Sequence, residues 1–132
     1  MKFKDKTVVV TGSRRGIGLG IALEFAKLGA NVVLNGTREI DAETLSQFDA
    51  YPGEVMTFVG DVSKFDVAEN FINEVKERFG RIDVLVNNAG ITRDGLLMRM
   101  SESDFDDVMN INLKGYFNMI RFATPVFVKQ KS

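Results

Sequence analysis

Short runs of consecutive apolar residues alternate along this chain with stretches in which apolar residues recur every three or four positions. Continuous apolar runs are typical of strands that are buried on both faces, as in a parallel sheet covered by helices. Four runs fit this description: Thr7–Thr11, Asn31–Leu34, Val55–Val59 and Ile82–Val86. Alternation of strands and helices at this spacing predicts βαβ units, and hence an α/β fold with a doubly wound parallel sheet.

The intervals between these runs have helical periodicity. One helix is predicted to end at Gly29, with an apolar stripe that consists of Ile17, Ile21, Phe25 and Leu28. A second helix is predicted to be capped by Ser63 and to end at Gly80, with its apolar face made of Ala68, Phe71, Ile72, Val75 and Phe79. A weaker helical pattern rests on Leu45 and Phe48, before a turn at residues 51–53.

After the fourth run the pattern changes to a loop at Gly90–Met100 and then to a long helical stretch. Ser101–Asp104 resembles a capping box, which predicts a helix start there. The apolar positions of the stretch are Phe105, Val108, Met109, Leu113, Phe117, Ile120 and Val128. Pro125 is expected to kink this helix, because proline cannot donate a main-chain hydrogen bond.

Length and composition exclude several kinds of chemistry. The chain has 132 residues, which predicts one domain, and it contains no cysteine and no histidine. Disulfides, cysteine or histidine zinc sites and a Ser-His-Asp triad are therefore impossible within it, and we expect no metal. Its 17 basic and 18 acidic residues do not suggest a nucleic-acid-binding protein. No signal-peptide pattern or membrane-length apolar run occurs, so we expect no membrane partner and a cytoplasmic location.

The segment Thr11–Gly18 places three glycines between the first strand and the first helix. Glycines at this point let the main chain approach a pyrophosphate, whose charge then lies at the helix N-terminus. NAD-binding domains usually carry an acid at the end of the second strand, but the sequence there is Leu34–Arg38, without a carboxylate. Arg15, Thr37 and Arg38 could instead surround a 2′-phosphate, which favours NADPH over NADH. Nearby Glu39 and Asp41 keep NAD as the alternative.

Together with Asn87–Gly90 after the fourth strand, the glycine segment resembles the short-chain dehydrogenase/reductase family. Asp61 and Val62 after the third strand and Asn112 in the last helical region match two further family positions. The stretch Val86–Met100 is similar to the bacterial 3-oxoacyl-[acyl-carrier-protein] reductases of fatty-acid synthesis. This resemblance implies a Rossmann-like sheet with strand order 3-2-1-4. It also implies NADPH-dependent reduction of 3-oxoacyl-[acyl-carrier-protein] to the 3-hydroxyacyl form, with acyl carrier protein as partner.

The resemblance assigns cofactor contacts residue by residue. The adenosine and pyrophosphate half of NADP would lie against Gly12, Ser13, Arg14, Arg15, Gly16, Ile17 and Gly18. Thr37 would face the 2′-phosphate, and Asp61 and Val62 would bracket the adenine. The ribose and nicotinamide would lie on Asn88, Ala89 and Gly90. Asn112 matches the family's catalytic asparagine, which holds a water molecule in a proton relay.

The family's catalytic tyrosine and lysine occur as YxxxK, and this pattern is absent here. Tyr51 is followed four residues later by Val55, and Tyr116 by Ile120. We therefore expect residues 1–132 to be the N-terminal, cofactor-binding half of a single Rossmann domain without a linker, truncated after the fourth strand and the following helices. This half should be inactive alone and should form homo-oligomers through the open edge of the fourth strand or through the last helix. The alternatives are a non-catalytic module that binds nucleotide or self-associates, and a sugar or polyol dehydrogenase.

Overall fold

The computed structural model of the chain describes residues 2–89 and 102–130, and for residues 104–113 it describes the main chain only. Its four strands are β1 (Thr7–Val10), β2 (Asn31–Gly36), β3 (Val55–Val59) and β4 (Val84–Val86). Its helices are α1 (Gly16–Lys27), α2 (Ala42–Ser46), α3 (Phe65–Phe79) and α4 (Glu102–Gln130). All strand pairs are parallel and the order is β3-β2-β1-β4, which confirms the predicted doubly wound sheet.

Both faces of the sheet are covered because successive strand residues point to opposite sides. Val9 and Val33 face α3 and α4, where Phe71 and Met119 complete a core. The residues on either side of them, such as Val8 and Val32, face α1 and α2 instead and form a second core. Continuous apolar runs in β1 and β2 therefore reflect burial on two faces, as the sequence indicates.

The strand predicted at Ile82–Val86 is shorter in the structure and begins at Val84. The reason lies in the two residues before it. The main-chain N–H of Ile82 donates to Oε1 of Gln130 at 2.7 Å, and its carbonyl oxygen accepts from Nε2 of Gln130 at 2.8 Å. The Asp83 carboxylate accepts the main-chain N–H of Thr7. Side chains thus occupy the main-chain groups of Ile82 and the N–H of Thr7, while the Asp83 N–H still donates to the Thr7 carbonyl oxygen at 2.9 Å.

The apolar stripe predicted for α1 is correct at Ile21 and Phe25, which are partly buried against the core, and wrong at its two ends. Ile17 is 78% exposed and Leu28 40% exposed, whereas the buried residues of this helix are Gly18, Ala22 and Ala26. These small residues recur every four positions and let the helix axis approach the sheet closely. The prediction relied on the large apolar side chains, whereas the fully buried residues of the helix are the small ones. Gly29 follows the helix with a φ of 94°, as its predicted role at the C-terminus requires.

Helix α3 keeps its predicted apolar face, and Gly80 ends it in the left-handed conformation. The predicted cap is wrong, because the helix begins after Lys64 without a side-chain cap and Ser63 bonds to Asp61 instead. Helix α4 runs through Pro125 to Gln130 as one helix. The predicted capping serine, Ser101, and the loop at residues 90–100 lie outside the described residues.

The apolar residues predicted for α4 are not its packing face in the described part. Phe117, Ile120 and Val128 are each more than half exposed, while Met119, Ala123 and Val126 are buried. The exposed three lie within about 80° of one another on the helix surface, since successive residues are about 100° apart. No helix in the described ranges is both long and apolar enough to cross a membrane.

Candidate functional site

The candidate site is a cleft at the carboxyl ends of the parallel strands. The chain passes from β1 through β2 to β3 and then crosses back to β4 on the other side of β1. In open α/β sheets, ligands bind where the strand order reverses in this way. The cleft has a volume of about 270 Å³ and is lined by Gly12, Arg14, Arg15, Asn35, Gly36, Thr37, Gly60, Asp61, Val62, Ser63 and Ala89.

Gly12, in the loop after β1, and Gly18, in the first turn of α1, allow close contact with the loop after β4. Gly12 has a φ of 60°, and a Cβ atom added there would lie 2.6 Å from the Cα atom of Ala89. A Cβ atom at Gly18 would overlap the Gly12 carbonyl oxygen and lie 2.6 Å from Nδ2 of Asn88. A side chain at either position would therefore push the two loops apart. Helix α1 begins beside this contact, at Gly16, without a side-chain cap, and the first N–H groups of a helix are suited to bind a phosphate group.

Thr11 and Asn88 join the same two loops by hydrogen bonds. The Thr11 hydroxyl oxygen accepts the main-chain N–H groups of Asn88 and Ala89 at 3.0 and 2.9 Å. The Asn88 side chain donates from Nδ2 to the Gly12 carbonyl oxygen at 2.9 Å. These contacts fix the floor of the cleft beside Ala89, so the predicted site residues Gly12, Asn88 and Ala89 lie together.

Asn35 is a site residue that the sequence analysis did not identify. It is 2% exposed, and its Oδ1 accepts the Gly12 N–H at 3.0 Å. Its main-chain N–H donates to the hydroxyl of Ser13, which in turn donates to the Val10 carbonyl. Ser13 is therefore fully buried beneath the loop and does not line the cleft. The available signal was a polar side chain inside the otherwise apolar run of β2.

Positive charge is concentrated at the end of β2. Arg14 and Arg15 both line the cleft, and the aliphatic part of Arg14 lies against Gly36. A Cβ atom at Gly36 would come within 3.0 Å of the Arg14 Cβ, so the absence of a side chain there makes room for the arginine. Thr37 lines the cleft beside them, whereas Arg38 is exposed next to it and is not among the lining residues.

Of the two acids that favour NAD in the sequence, Asp41 has a structural task. It is the N-cap of α2 and accepts the Thr44 N–H at 2.7 Å. Hydrogen bonds from Thr44 hold the pKa of Asp41 below its ordinary value of 3.8. Among the described residues, neither Glu39 nor Asp41 lines the cleft. The wall at the end of β2 therefore carries arginine and threonine side chains.

The segment after β3 forms the opposite wall. Asp61 and Val62 line the cleft, as predicted, together with Gly60 and Ser63. The N–H and the hydroxyl of Ser63 both donate to Oδ1 of Asp61, at 2.9 and 2.7 Å. This turn fixes the orientation of the carboxylate at the cleft wall.

The remaining predicted residues are placed less directly. Gly16 opens α1 with a φ of 62°, Ile17 is exposed, and Gly18 is buried against Gly12. Gly90 lies outside the described residues, and so does the side chain of Asn112 in α4. Within residues 2–89 and 102–130, no three side chains of metal-binding type are close enough to hold an ion.

A family model described as short chain dehydrogenase matches residues 6–132. The chain belongs to the short-chain dehydrogenase family. A 3-oxoacyl-[acyl-carrier-protein] reductase FabG from Staphylococcus epidermidis is 45% identical to this chain over 97% of the chain's length. The FabG of Thermotoga maritima is 41% identical over all of it.

Among solved structures, a metagenomic short-chain oxidoreductase in complex with NADP matches 99% of this chain with a TM-score of 0.84 and 34% identity. The match covers 60% of that protein. The two FabG proteins are covered over 53% and 54% of their own lengths. The chain thus spans about half the length of the curated relatives it matches.

Proposed function

We propose that residues 1–132 are the cofactor-binding half of a single Rossmann domain in an NADP-dependent 3-oxoacyl-[acyl-carrier-protein] reductase. One observation carries the cofactor choice. At the end of β2, where NAD-binding domains usually have an acid, this chain has Gly36 with the Arg14 side chain lying against it. A 2′-phosphate would meet Arg14, Arg15 and Thr37 there, whereas a free ribose hydroxyl would find no carboxylate acceptor at that strand end.

The residues of the cleft fit the two halves of such a dinucleotide differently. The pyrophosphate would lie at the start of α1, which has no side-chain cap and begins beside the close contact of Gly12 with Ala89. Asp61 and Val62 form a wall suited to the adenine ring. The cleft volume of about 270 Å³ is near the lower end of the range for ligand sites, about 300 Å³, which suits the adenosine half.

Identity of 45% with a FabG protein supports 3-oxoacyl-[acyl-carrier-protein] as the substrate of the whole enzyme. The reaction adds a hydride to the 3-oxo carbon and a proton to its oxygen, and bound NADPH supplies the hydride. Asn112 is proposed as the catalytic asparagine of a proton relay, and acyl carrier protein as the carrier of the substrate. We expect no reduction of acetoacetyl thioesters by the 132-residue chain, because it has no YxxxK pattern. The proposed location is the cytoplasm.

The cofactor proposal is tested by calorimetric titration of the chain with NADPH and with NADH. Hydrogen bonds to charged groups contribute about 1.5–3 kcal/mol, so NADPH should bind at least about tenfold more tightly. Replacing Arg14 or Arg15 with methionine should remove most of that preference. Arg78→Met is the control, since Arg78 is a surface residue whose contact with Glu54 is 3.8 Å long. Equal affinities for the two nucleotides, or a preference that survives both arginine replacements, would contradict the proposal.

Self-association is proposed from the outer surface of α4. Phe117, Ile120 and Val128 expose apolar side chains on one face, and we propose that a second copy of the chain covers them. Sedimentation of the wild-type chain and of a Phe117→Ser/Ile120→Ser double variant tests this. We expect the wild type to be dimeric or larger at micromolar concentration and the variant to be smaller; a monomeric wild type would refute the proposal.

Oxidation of a sugar or polyol is the alternative activity. A full-length enzyme that oxidises polyols but does not reduce the thioester would favour it.

A further inference from the structure

Two buried asparagines make contacts that the proposed function does not explain. Asn35 in β2 is 2% exposed and Asn118 in α4 is 1% exposed. A buried amide is costly unless it is hydrogen-bonded, so the partners of these side chains indicate what they stabilise. Both donate from Nδ2 to main-chain carbonyl groups of the same short segment.

That segment contains Asp61, and the two asparagines hold the residues on either side of it. Asn35 donates to the carbonyl oxygen of Gly60 at 3.2 Å and to that of Phe58 at 3.0 Å. Asn118 donates to the carbonyl oxygen of Val62 at 3.0 Å. The two contacts come from different parts of the chain, 25 and 56 residues away in sequence. The main chain is therefore fixed immediately before and immediately after Asp61.

Helix α4 lies directly against this segment. A Cβ atom added at Gly115 would be 3.3 Å from Cγ2 of Val62 and 3.8 Å from the N atom of Ser63. Asn118 follows Gly115 by three residues, about one helical turn, so both residues face the same segment. The missing side chain at Gly115 brings the helix close enough for the Asn118 amide to reach Val62.

We infer that Asn35 and Asn118 are positioning residues, which fix the segment Gly60–Ser63 in its nucleotide-binding shape before any nucleotide arrives. A binding surface that is already ordered avoids the entropy loss of ordering it on binding, and so binds more tightly. The affinity of the cleft for an adenosine group therefore depends on α4, which does not line the cleft in the described ranges. The statement about affinity rests on the proposed function, whereas the statement about the shape of the segment does not.

Asn118→Leu is the variant for the test, because Asn35 also contacts the glycine loop. Gln130→Leu is the matched control: Gln130 lies on the same helix and also bonds main-chain groups through its side-chain amide, but at Ile82, away from the cleft. Both variants should lose similar thermal stability. If Asn118→Leu does not fold, Asn118→Ser replaces it, since its shorter side chain cannot reach the Val62 carbonyl.

The first measurement is amide hydrogen exchange in the free chain. The N–H groups of Ser63 and Lys64 donate to the side chain and the main chain of Asp61, so they report the shape of the segment. We expect exchange at both to become at least tenfold faster in Asn118→Leu and to change less than twofold in Gln130→Leu. Unchanged exchange in Asn118→Leu, or an equal change in both variants, would overturn the inference.

The second measurement is calorimetric titration with adenosine 2′,5′-bisphosphate. The affinity should fall about tenfold in Asn118→Leu and less than twofold in Gln130→Leu. An equal loss in both variants would mean that Asn118 acts only through overall stability, which overturns the positioning role. A wild-type chain that binds no adenosine 2′,5′-bisphosphate would refute the proposed function and the affinity statement. Hydrogen exchange would still test whether Asn118 fixes the shape of the segment.

Discussion

The hydroxyl of Thr11 offers the sharpest test of how the two loops at the floor of the cleft are joined. Thr11 is fully buried, and its Oγ1 is the acceptor for the main-chain N–H groups of Asn88 and Ala89. Thr11→Val keeps the shape of the side chain but removes that acceptor. The two N–H groups then lose their partner in a part of the structure that water reaches only in part.

The cost follows from the number of groups left unpaired. An unsatisfied buried donor costs about 1–3 kcal/mol, and partial access to water places each of these at the lower end. We therefore expect Thr11→Val to lower the free energy of unfolding by about 2 kcal/mol. Urea denaturation followed by circular dichroism measures this. With a slope of about 2 kcal/mol per molar urea, the midpoint should fall by about 1 M.

Thr11→Ser is the control, since it keeps the hydroxyl and removes one methyl group. Its loss should be about 1 kcal/mol, from the buried apolar carbon alone. Amide exchange at Asn88 and Ala89 should accelerate in the valine variant and stay slow in the serine variant. If Thr11→Val were as stable as Thr11→Ser, the hydrogen bonds at Oγ1 would not stabilise the loop and this reasoning would be refuted.

Two other predictions concern pH and glycine. Burial acts to raise the pKa of Asp83, but hydrogen bonds, chiefly from Arg81, bring it below the ordinary 3.8. Asp83 therefore stabilises the fold above about pH 4, and this stabilisation is lost as the pH falls through the lowered pKa of the folded protein. The free energy of unfolding of Asp83→Asn should be about 2 kcal/mol below that of the wild type at pH 7, and this difference should shrink by pH 3. A difference that does not change with pH would contradict this. Gly12→Ala should cost about 3 kcal/mol and abolish nucleotide binding, because of its positive φ and its contact with Ala89. Gly20 is an exposed helical position with open space around it, so Gly20→Ala should instead stabilise the fold by about 0.5–1 kcal/mol in thermal unfolding. Similar losses of stability in Gly12→Ala and Gly20→Ala would contradict the close-contact argument.

Strand positions and order could be predicted because their signals are local or shared by the family. Runs such as Val55–Val59 mark strands by composition alone, and the observed β3 has the same bounds, but it is not buried on both faces as predicted, since Thr57 and Val59 are exposed. The facing of the helices could not be predicted in the same way. In α1, the sequence pattern favours Ile17, but packing distance to the sheet decides the outcome and buries Ala22 and Ala26 instead.

The candidate site was predictable where the motif itself forms the cleft, and not where distant residues support it. Gly12 and Asp61 line the cleft as their motifs indicate. Asn35 and Asn118 were missed because their role depends on contacts made 23 to 56 residues away, which no local pattern records. The prediction of Ser63 as a helix cap was wrong for a related reason. Its hydroxyl could bond either to the helix start or to Asp61, and the geometry of the folded turn brings it to Asp61.

The central claim is that a dinucleotide binds at the carboxyl ends of the strands, with its phosphate-bearing ribose at the end of β2. Titration of the isotope-labelled chain with NADPH, followed by amide chemical shifts, tests this most directly. We expect the largest changes at Gly12, Thr37 and Asp61, and none at Arg81 and Asp83, near the opposite ends of β1 and β4. Changes centred on Arg81 and Asp83, or no changes at millimolar NADPH, would contradict the account.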